Sequence, residues 1–191
     1  LALLSSLSYF GVETTSFAAV IGAAGLAVGL AFQGTLSNAA SGVMLLVFRP
    51  FSVGDVVSVA GVTGAVIEID LFTTALDTLD NRRFILPNST IFGATIENVT
   101  FHKERRVEIV IGVSYDADID EAREVLMEVA KEVPDQVEGR DAEVVLVGLG
   151  GSSVDFEVRV WVPTSDVGYY LRAREAIFVG SKKKLDAAKI G

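Results

Sequence analysis

The sequence has no cysteine, one histidine (His102), one tryptophan (Trp161) and four prolines in 191 residues. Without cysteine there is no disulfide framework, no thiolate metal site and no thiol nucleophile. A single imidazole cannot build a multi-histidine metal centre within one chain. Basic charge is also scarce: 16 Lys and Arg stand against 25 Asp and Glu, for a formal net charge of −9. Binding to a phosphate backbone needs clustered Lys and Arg. Only "HKERR" (102–106) and "KKK" (182–184) form clusters, so nucleic acid is not an expected partner. Charge of either sign is missing from residues 14–48, and residues 1–51 carry only Glu13 and Arg49. The entire net charge therefore lies on residues 52–191.

What fills the uncharged region is apolar but thin. "VIGAAGLAVGLAFQGTLSNAASG" (20–42) is long enough to cross a bilayer, which takes about 20 apolar residues, yet much of it is Gly, Ala or Ser. On a helical wheel with Leu26 at the origin, Ala19, Leu30 and Gln33 fall within about 40°. Ala23, Ala27, Ala31 and Gly34 lie on one flank, and Ala18, Gly22, Gly25 and Gly29 on the other. Ile21, Val28 and Phe32 occupy the back. An alanine ridge and a glycine groove on opposite flanks cannot fill each other within one chain. They fit between identical helices in a ring, a head-to-tail interface that closes when the rotation allows. A ring of such helices would turn Leu26 and Leu30, one turn apart, toward the axis, where leucine rings gate by dewetting. Small residues also suit an ordinary bundle of membrane helices, and periodicity does not choose between the two.

After "FRPF" (48–51), where Pro50 closes the helix and Arg49 is placed to meet lipid headgroups or helix-end carbonyls, the pattern becomes strand-like. "DVVSVAG" (55–61), "AVIEIDLFTTALDTL" (65–79) and "FILPNSTI" (84–91) are rich in Val, Ile, Thr and Phe, with "GVTG" (61–64) and "DNRR" (80–83) as turns. Pro87 confines its strand to an edge or a break. Short strands joined by tight turns predict a small β-barrel of the Sm/SH3-like kind. Next come a strand "RRVEIVIGVSYD" (105–116), a helix over 118–133 with Asp118 as N-cap and Ala122, Val125, Leu126 and Val129 inward, strands over 142–150 and 153–162, and a helix over about 167–188. The order β-α-β-β-α is that of a split, ferredoxin-like α/β sandwich. We expect three domains: 1–51 (the end of a preceding helix and the long apolar helix, a transmembrane region), 52–101 (β-barrel) and 102–191 (α/β). Leu1 follows no initiator Met or basic n-region, and the chain reads as part of a longer one.

An enzymatic reading finds little support. Asp70, Asp77, Asp80, Asn81 and His102 are candidate polar groups without a nucleophile elbow or phosphate-cradling loop. "GLGGSS" (148–153) sits between two strands with no helix after it, which suits a hairpin turn. Asp116, Asp118 and Asp120 lack the later ligands of a calcium loop and suit helix capping. Neither a metal nor a cofactor is expected.

The run "GAAGLAVGLAFQGTLSNAASGVMLLVFRPF" (22–51), followed by "VGDVVSVAGVTGAVIEIDLFTTAL" and "ILPNSTI", resembles the small-conductance mechanosensitive channel family (MscS). The resemblance covers essentially the whole chain. It implies a homoheptamer in the bacterial inner membrane that opens under tension and passes ions and small osmolytes on hypoosmotic shock, with the β-barrel and α/β domains in the cytoplasm as a cage. By the same resemblance Leu26 and Leu30 form the pore constriction, Ala19, Ala23 and Ala27 the ridge, and Gly22 and Gly29 the groove. Gly34 would be the kink and Gly42 a second hinge. Phe32 and Leu36 would meet lipid-facing helices as tension-coupling contacts, and Phe32 departs from the smaller aliphatic residue common there. Two sensing helices would precede this segment, and a closing strand would follow Gly191. The alternatives are a non-conducting oligomeric scaffold, a related channel gated by another stimulus, and a membrane-anchored enzyme.

Overall fold

The computed structural model describes residues 15–191; the expected helix tail over residues 1–10 lies outside them. A single helix, α1 (Thr15–Phe48), opens the described chain. It holds no proline and no charge, so nothing interrupts its hydrogen-bond ladder, and it runs unbroken through both Gly34 and Gly42. Its end is marked by Arg49 in the left-handed region (φ 47°), whose N–H returns to the Leu45 carbonyl at 3.0 Å. Pro50, which cannot donate, follows.

The chain divides into two compact units at Asn98/Val99. In the first, α1 is followed by β1 (Val56–Val59), β2 (Val62–Ile69), β3 (Thr73–Asp77), β4 (Arg83–Pro87), a short helix α2 (Asn88–Phe92) and β5 (Ile96–Asn98). The strands form one antiparallel sheet in the order β4-β3-β2-β1-β5. The β1–β2 turn is tighter than "GVTG" suggested. Val59 pairs with Val62, and Ala60 and Gly61 both take positive φ (50° and 78°), the signature of a two-residue hairpin turn whose twist matches the strands. β4, which carries Pro87, is an edge strand, as its missing donor requires. Leu45 of α1 and Phe51 just beyond it pack with Val57, Val59, Val66, Leu76 and Ile91 in one buried cluster. The foot of the apolar helix is thereby part of the β-unit's core.

Two stretches differ from the sequence reading. Residues 65–79 are not one strand run but β2 and β3, with a register shift between Val66 and Glu68 and a reversal at residues 70–72. "NSTI" (88–91) is helix rather than the end of a strand. Both departures meet at Asn88, which begins the short helix and binds the reversal at residues 70–72.

The second unit contains β6 (Glu104–Val113), α3 (Ile119–Glu132), β7 (Glu143–Leu149), β8 (Val154–Pro163) and α4 (Val167–Ala187), the expected β-α-β-β-α order. The sheet runs β6-β8-β7, antiparallel throughout. Strict alternation in β8 buries Val154, Phe156, Val158, Val160 and Val162, and these meet Ala122, Leu126 and Ala130 of α3 and Ala173 and Ile177 of α4. Asp118 caps α3, its carboxylate accepting from the N–H groups of Asp120 (2.9 Å) and Glu121 (3.0 Å). "GLGGSS" makes the β7–β8 hairpin, closed by Gly150 N–H donating to the Ser153 carbonyl at 2.7 Å.

Candidate pore segment and its support

At 1.5 Å per residue α1 is about 51 Å long, well beyond the roughly 30 Å of a hydrocarbon core. Burial divides it accordingly. Residues 15–37 are exposed on every side, whereas Asn38, Ala39 and Ser41 are half-buried and Gly42 and Leu45 buried. An apolar helix exposed all round is unstable in water and needs lipid or other apolar helices about it.

The glycines sharpen this division. A Cβ placed on Gly22, Gly25, Gly29 or Gly34 meets nothing within 4 Å. Packing among the described residues therefore gives no reason for glycine at these positions, each of which costs roughly 1 kcal/mol of helix propensity relative to alanine. Leu26 and Leu30 project from between the flanks with 65% and 62% of their surface exposed. Ala19, Ala23 and Ala27 share that exposure, as do Phe32 and Leu36. The sequence-predicted residues of the pore segment thus lie on one helix with defined faces and, among the described residues, are exposed.

Gly42 is different in kind. A Cβ there would lie 2.3 Å from the Leu71 carbonyl oxygen and 2.5 Å from Asn88 Nδ2, so here the small residue answers to a close approach of backbone from the β2–β3 turn. Around it is a polar latch. Asn88 is fully buried. Its Nδ2 donates to the Asp70 carbonyl at 2.8 Å, its Oδ1 accepts from the Thr74 hydroxyl at 2.8 Å, and its backbone N–H reaches the Phe72 carbonyl at 2.9 Å. One residue on, Ser89 N–H donates to Asn38 Oδ1 at 2.9 Å, while Asn38 Nδ2 donates to the Gly34 carbonyl at 3.1 Å. Asn38 thus satisfies one of the orphan N–H groups at the start of α2 and ties it to α1. At the helix end Arg49 Nε donates to the Leu46 carbonyl at 3.3 Å; of the two partners foreseen for it, the helix-end carbonyl is the one it takes within the chain. Asn98 Nδ2 reaches Asp55 Oδ2 (3.0 Å) and the Pro50 carbonyl (3.4 Å), and Ser52 N–H donates to the same Asp55 oxygen at 2.9 Å. None of Asn38, Thr74, Asn88 and Ser89 was singled out from the sequence; the available signal was a polar pair, "SN" (37–38), ending an otherwise apolar helix.

The polar groups considered for catalysis do not converge. Asp77 is paired with Arg83 through two hydrogen bonds of 2.8 and 2.9 Å, and the Arg83 hydrogen bond holds its carboxyl below the ordinary carboxylate value. Asp80 is likewise lowered, by hydrogen bonds from the Thr78 hydroxyl and Arg82. Both stabilise the β3–β4 hairpin, whose turn places Asn81 at φ 62°. Asp70 contributes its carbonyl to the latch. His102 lies in the other unit, its ring edge-on to Phe101. No group of three or more His, Cys, Asp or Glu able to hold a metal exists among the described residues.

Three family models cover the chain: mechanosensitive ion channel transmembrane helices 2/3 over residues 1–33, the mechanosensitive ion channel beta-domain over 34–101, and the MscS C-terminal domain over 107–191. An uncharacterized MscS family protein of Buchnera aphidicola is 42% identical over 189 residues, which is 99% of this chain and 66% of the relative. A small-conductance mechanosensitive channel of Edwardsiella ictaluri is 43% identical over 88% of this chain and 58% of its own length. The chain thus spans about three fifths to two thirds of these relatives. Among solved structures, the closed-state crystal structure of Helicobacter pylori MscS superposes with a TM-score of 0.89 at 32% identity, over 98% of this chain and 74% of that one.

Proposed function

The chain belongs to the MscS family of mechanosensitive ion channels, whose members are channels and not enzymes, and from that premise we propose that it forms a tension-opened, leucine-sealed pore as a homo-oligomer, a heptamer by family resemblance. The observation that carries the proposal is the contrast along α1. Four glycines with open space around them flank two exposed leucines, and only below them does the helix dock on its own chain. In the closed ring each alanine ridge of Ala19, Ala23 and Ala27 enters the neighbour's groove at Gly22 and Gly29. The Leu26 and Leu30 rings leave a gap too narrow and apolar for hydrated ions.

Tension favours the state of larger in-plane area and acts as a ligand with differential affinity does in any population shift. Ridges slide along grooves, the ring widens, and ions and small osmolytes leave during hypoosmotic shock. Phe32 and Leu36, exposed toward what would be lipid or lipid-facing helices, receive the load. Gly34, through which α1 runs unbroken in this structure, is the residue proposed to kink, and Gly42, held against Leu71 and Asn88, is by family resemblance a second hinge. Arg49 marks the interface with the headgroups. On this reading the exposed upper part of the 1–51 region lies in the bacterial inner membrane, its foot docks on the β domain at the membrane face, and the β (52–101) and α/β (102–191) domains lie in the cytoplasm.

The test is a pressure-clamp recording from liposome patches containing the full-length protein. Stepwise currents that appear only under suction are expected. Silence in patches shown to contain oligomer overturns the proposal in favour of a scaffold, and currents independent of suction in favour of a channel with another stimulus.

A further inference from the structure

The "HKERR" segment is not used by the pore, and the structure builds something from it. In the second unit His102, Lys103, Glu104, Arg140 and Trp161 line an open cleft of about 410 Å³. Its frame is held by backbone. Thr164 N–H donates to the Lys103 carbonyl at 3.0 Å, Val137 N–H to the Trp161 carbonyl at 2.9 Å, and Arg140 N–H to the Val137 carbonyl at 3.3 Å. The Thr164 hydroxyl also donates to the His102 carbonyl. Glu104 Oε2 accepts from Arg140 Nε at 2.7 Å, which orients the guanidinium over the Trp161 ring, 4.7 Å from its centroid. Arg106, directly across the ladder from Trp161, puts a second guanidinium 5.6 Å from the same centroid; its charge is matched by Glu108.

With the ring already attended by two cations, its N–H edge is the part of Trp161 left for recognition. Among the described residues the indole N–H donates to nothing and the Lys103 ammonium makes no ion pair. A half-buried indole N–H ordinarily finds an acceptor. An ammonium, guanidinium N–H groups and an indole N–H are all donors, and the one carboxylate of the cleft is engaged by Arg140. We propose that this cleft binds a compact oxyanion of the phosphate class, held by charge-assisted hydrogen bonds from Lys103 and Arg140 and oriented by Trp161. The site lies on a chain of net charge −9, so its attraction is local and short-ranged.

Trp161 is the only tryptophan of these 191 residues, and the difference in emission between the full-length protein and its Trp161→Phe variant isolates the signal of the site. Sodium phosphate is titrated against sodium chloride at constant ionic strength. A saturable change with a midpoint on the order of 1–10 mM is expected. Lys103→Gln, which leaves the ring's cation contacts in place, weakens it at least about tenfold, and Glu104→Gln, which removes the competing negative charge, tightens it by about threefold. A second arm replaces phosphate by phosphatidylglycerol vesicles. Saturation with phosphate alone identifies a free oxyanion, and saturation with vesicles alone a lipid headgroup. A response that follows ionic strength without saturating, or one retained in both Lys103→Gln and Arg140→Gln, overturns the proposal.

Discussion

The Thr74–Asn88 hydrogen bond offers a quantitative test of the latch that fixes α1 to the β-unit. Both residues are fully buried, and the Thr74 hydroxyl donates to Asn88 Oδ1 at 2.8 Å. Asn88→Ala leaves the buried Thr74 hydroxyl unpaired at about 1–3 kcal/mol and forfeits the part-buried bond to the Asp70 carbonyl, about 0.5–1.5 kcal/mol more. Thr74→Val keeps the shape and strands one lone pair of Asn88, again at about 1–3 kcal/mol. In the double variant neither the Thr74 hydroxyl nor Asn88 Oδ1 remains to be orphaned, so both of those penalties drop out and only the lost bond to the Asp70 carbonyl is left. The combined loss should therefore fall short of the sum by about 2–3 kcal/mol. The assay is hydrogen exchange at the Asn88 amide, which is hydrogen-bonded to the Phe72 carbonyl, read as local opening free energy in the four proteins of the cycle. Asn88→Ala alone should speed exchange on the order of 100-fold, since every 1.4 kcal/mol is tenfold. Additivity within about 0.3 kcal/mol would refute the reasoning, because residues that do not share a bond are independent at that level.

Other outcomes follow from the same structure. Leu30→Ser should hydrate the proposed constriction and give current without suction; a tight variant would place the seal elsewhere. Gly29→Ser, which among the described residues meets nothing in its own chain, should raise the opening tension, and an unmodified threshold would end the sliding model. Ser181 carries the one buried side-chain oxygen without a hydrogen-bond partner among the described residues, so Ser181→Ala should stabilise the second unit by about 1 kcal/mol in thermal unfolding. Because Asp77 is held below its unfolded value by Arg83, the support it gives the β3–β4 hairpin is complete above the ordinary carboxylate range and is lost only as pH falls through the lowered value. A carboxyl titration by NMR should show that low midpoint, returning to normal in Arg83→Gln.

Much of the architecture was legible in the sequence because its signals are local. The charge-free run ended by Pro50, the Asp118 cap and the alternation of β8 each fix an element from neighbouring residues alone. The split of residues 65–79 was not legible for a physical reason. "IDLFTT" contains no Gly, Pro or Asn to announce a turn, and the reversal is held instead by Asn88, whose side chain binds the Asp70 carbonyl and whose backbone binds the Phe72 carbonyl. α2 escaped in the same way: its first turn follows Pro87 and takes an acceptor from Asn38, 51 residues earlier. Gly29 and Gly42 look alike in a string of letters, and only the approach of Leu71 to one of them separates a residue kept small for its own chain from one kept small for another.

That separation bears on how a load could travel. On the proposed reading the bilayer acts on the exposed upper part of α1, while Gly42 and Leu45 are embedded in the β-unit through a close backbone contact and a shared core. Adjustment between the two parts must fall between the last glycine with open space about it and the first buried one, and that interval is short: it runs from Gly34 to Gly42. Asn38 sits in its middle and binds both sides, the Gly34 carbonyl by its amide nitrogen and the Ser89 N–H by its oxygen. A bend at Gly34 displaces that carbonyl and loosens the first bond while the second holds, so the asparagine can release the upper helix without undocking the lower one. The energy at stake is one ordinary hydrogen bond, about 0.5–1.5 kcal/mol per subunit. Repeated around a ring it becomes large enough to bias an equilibrium between closed and open states, yet each step remains small enough to be reversible.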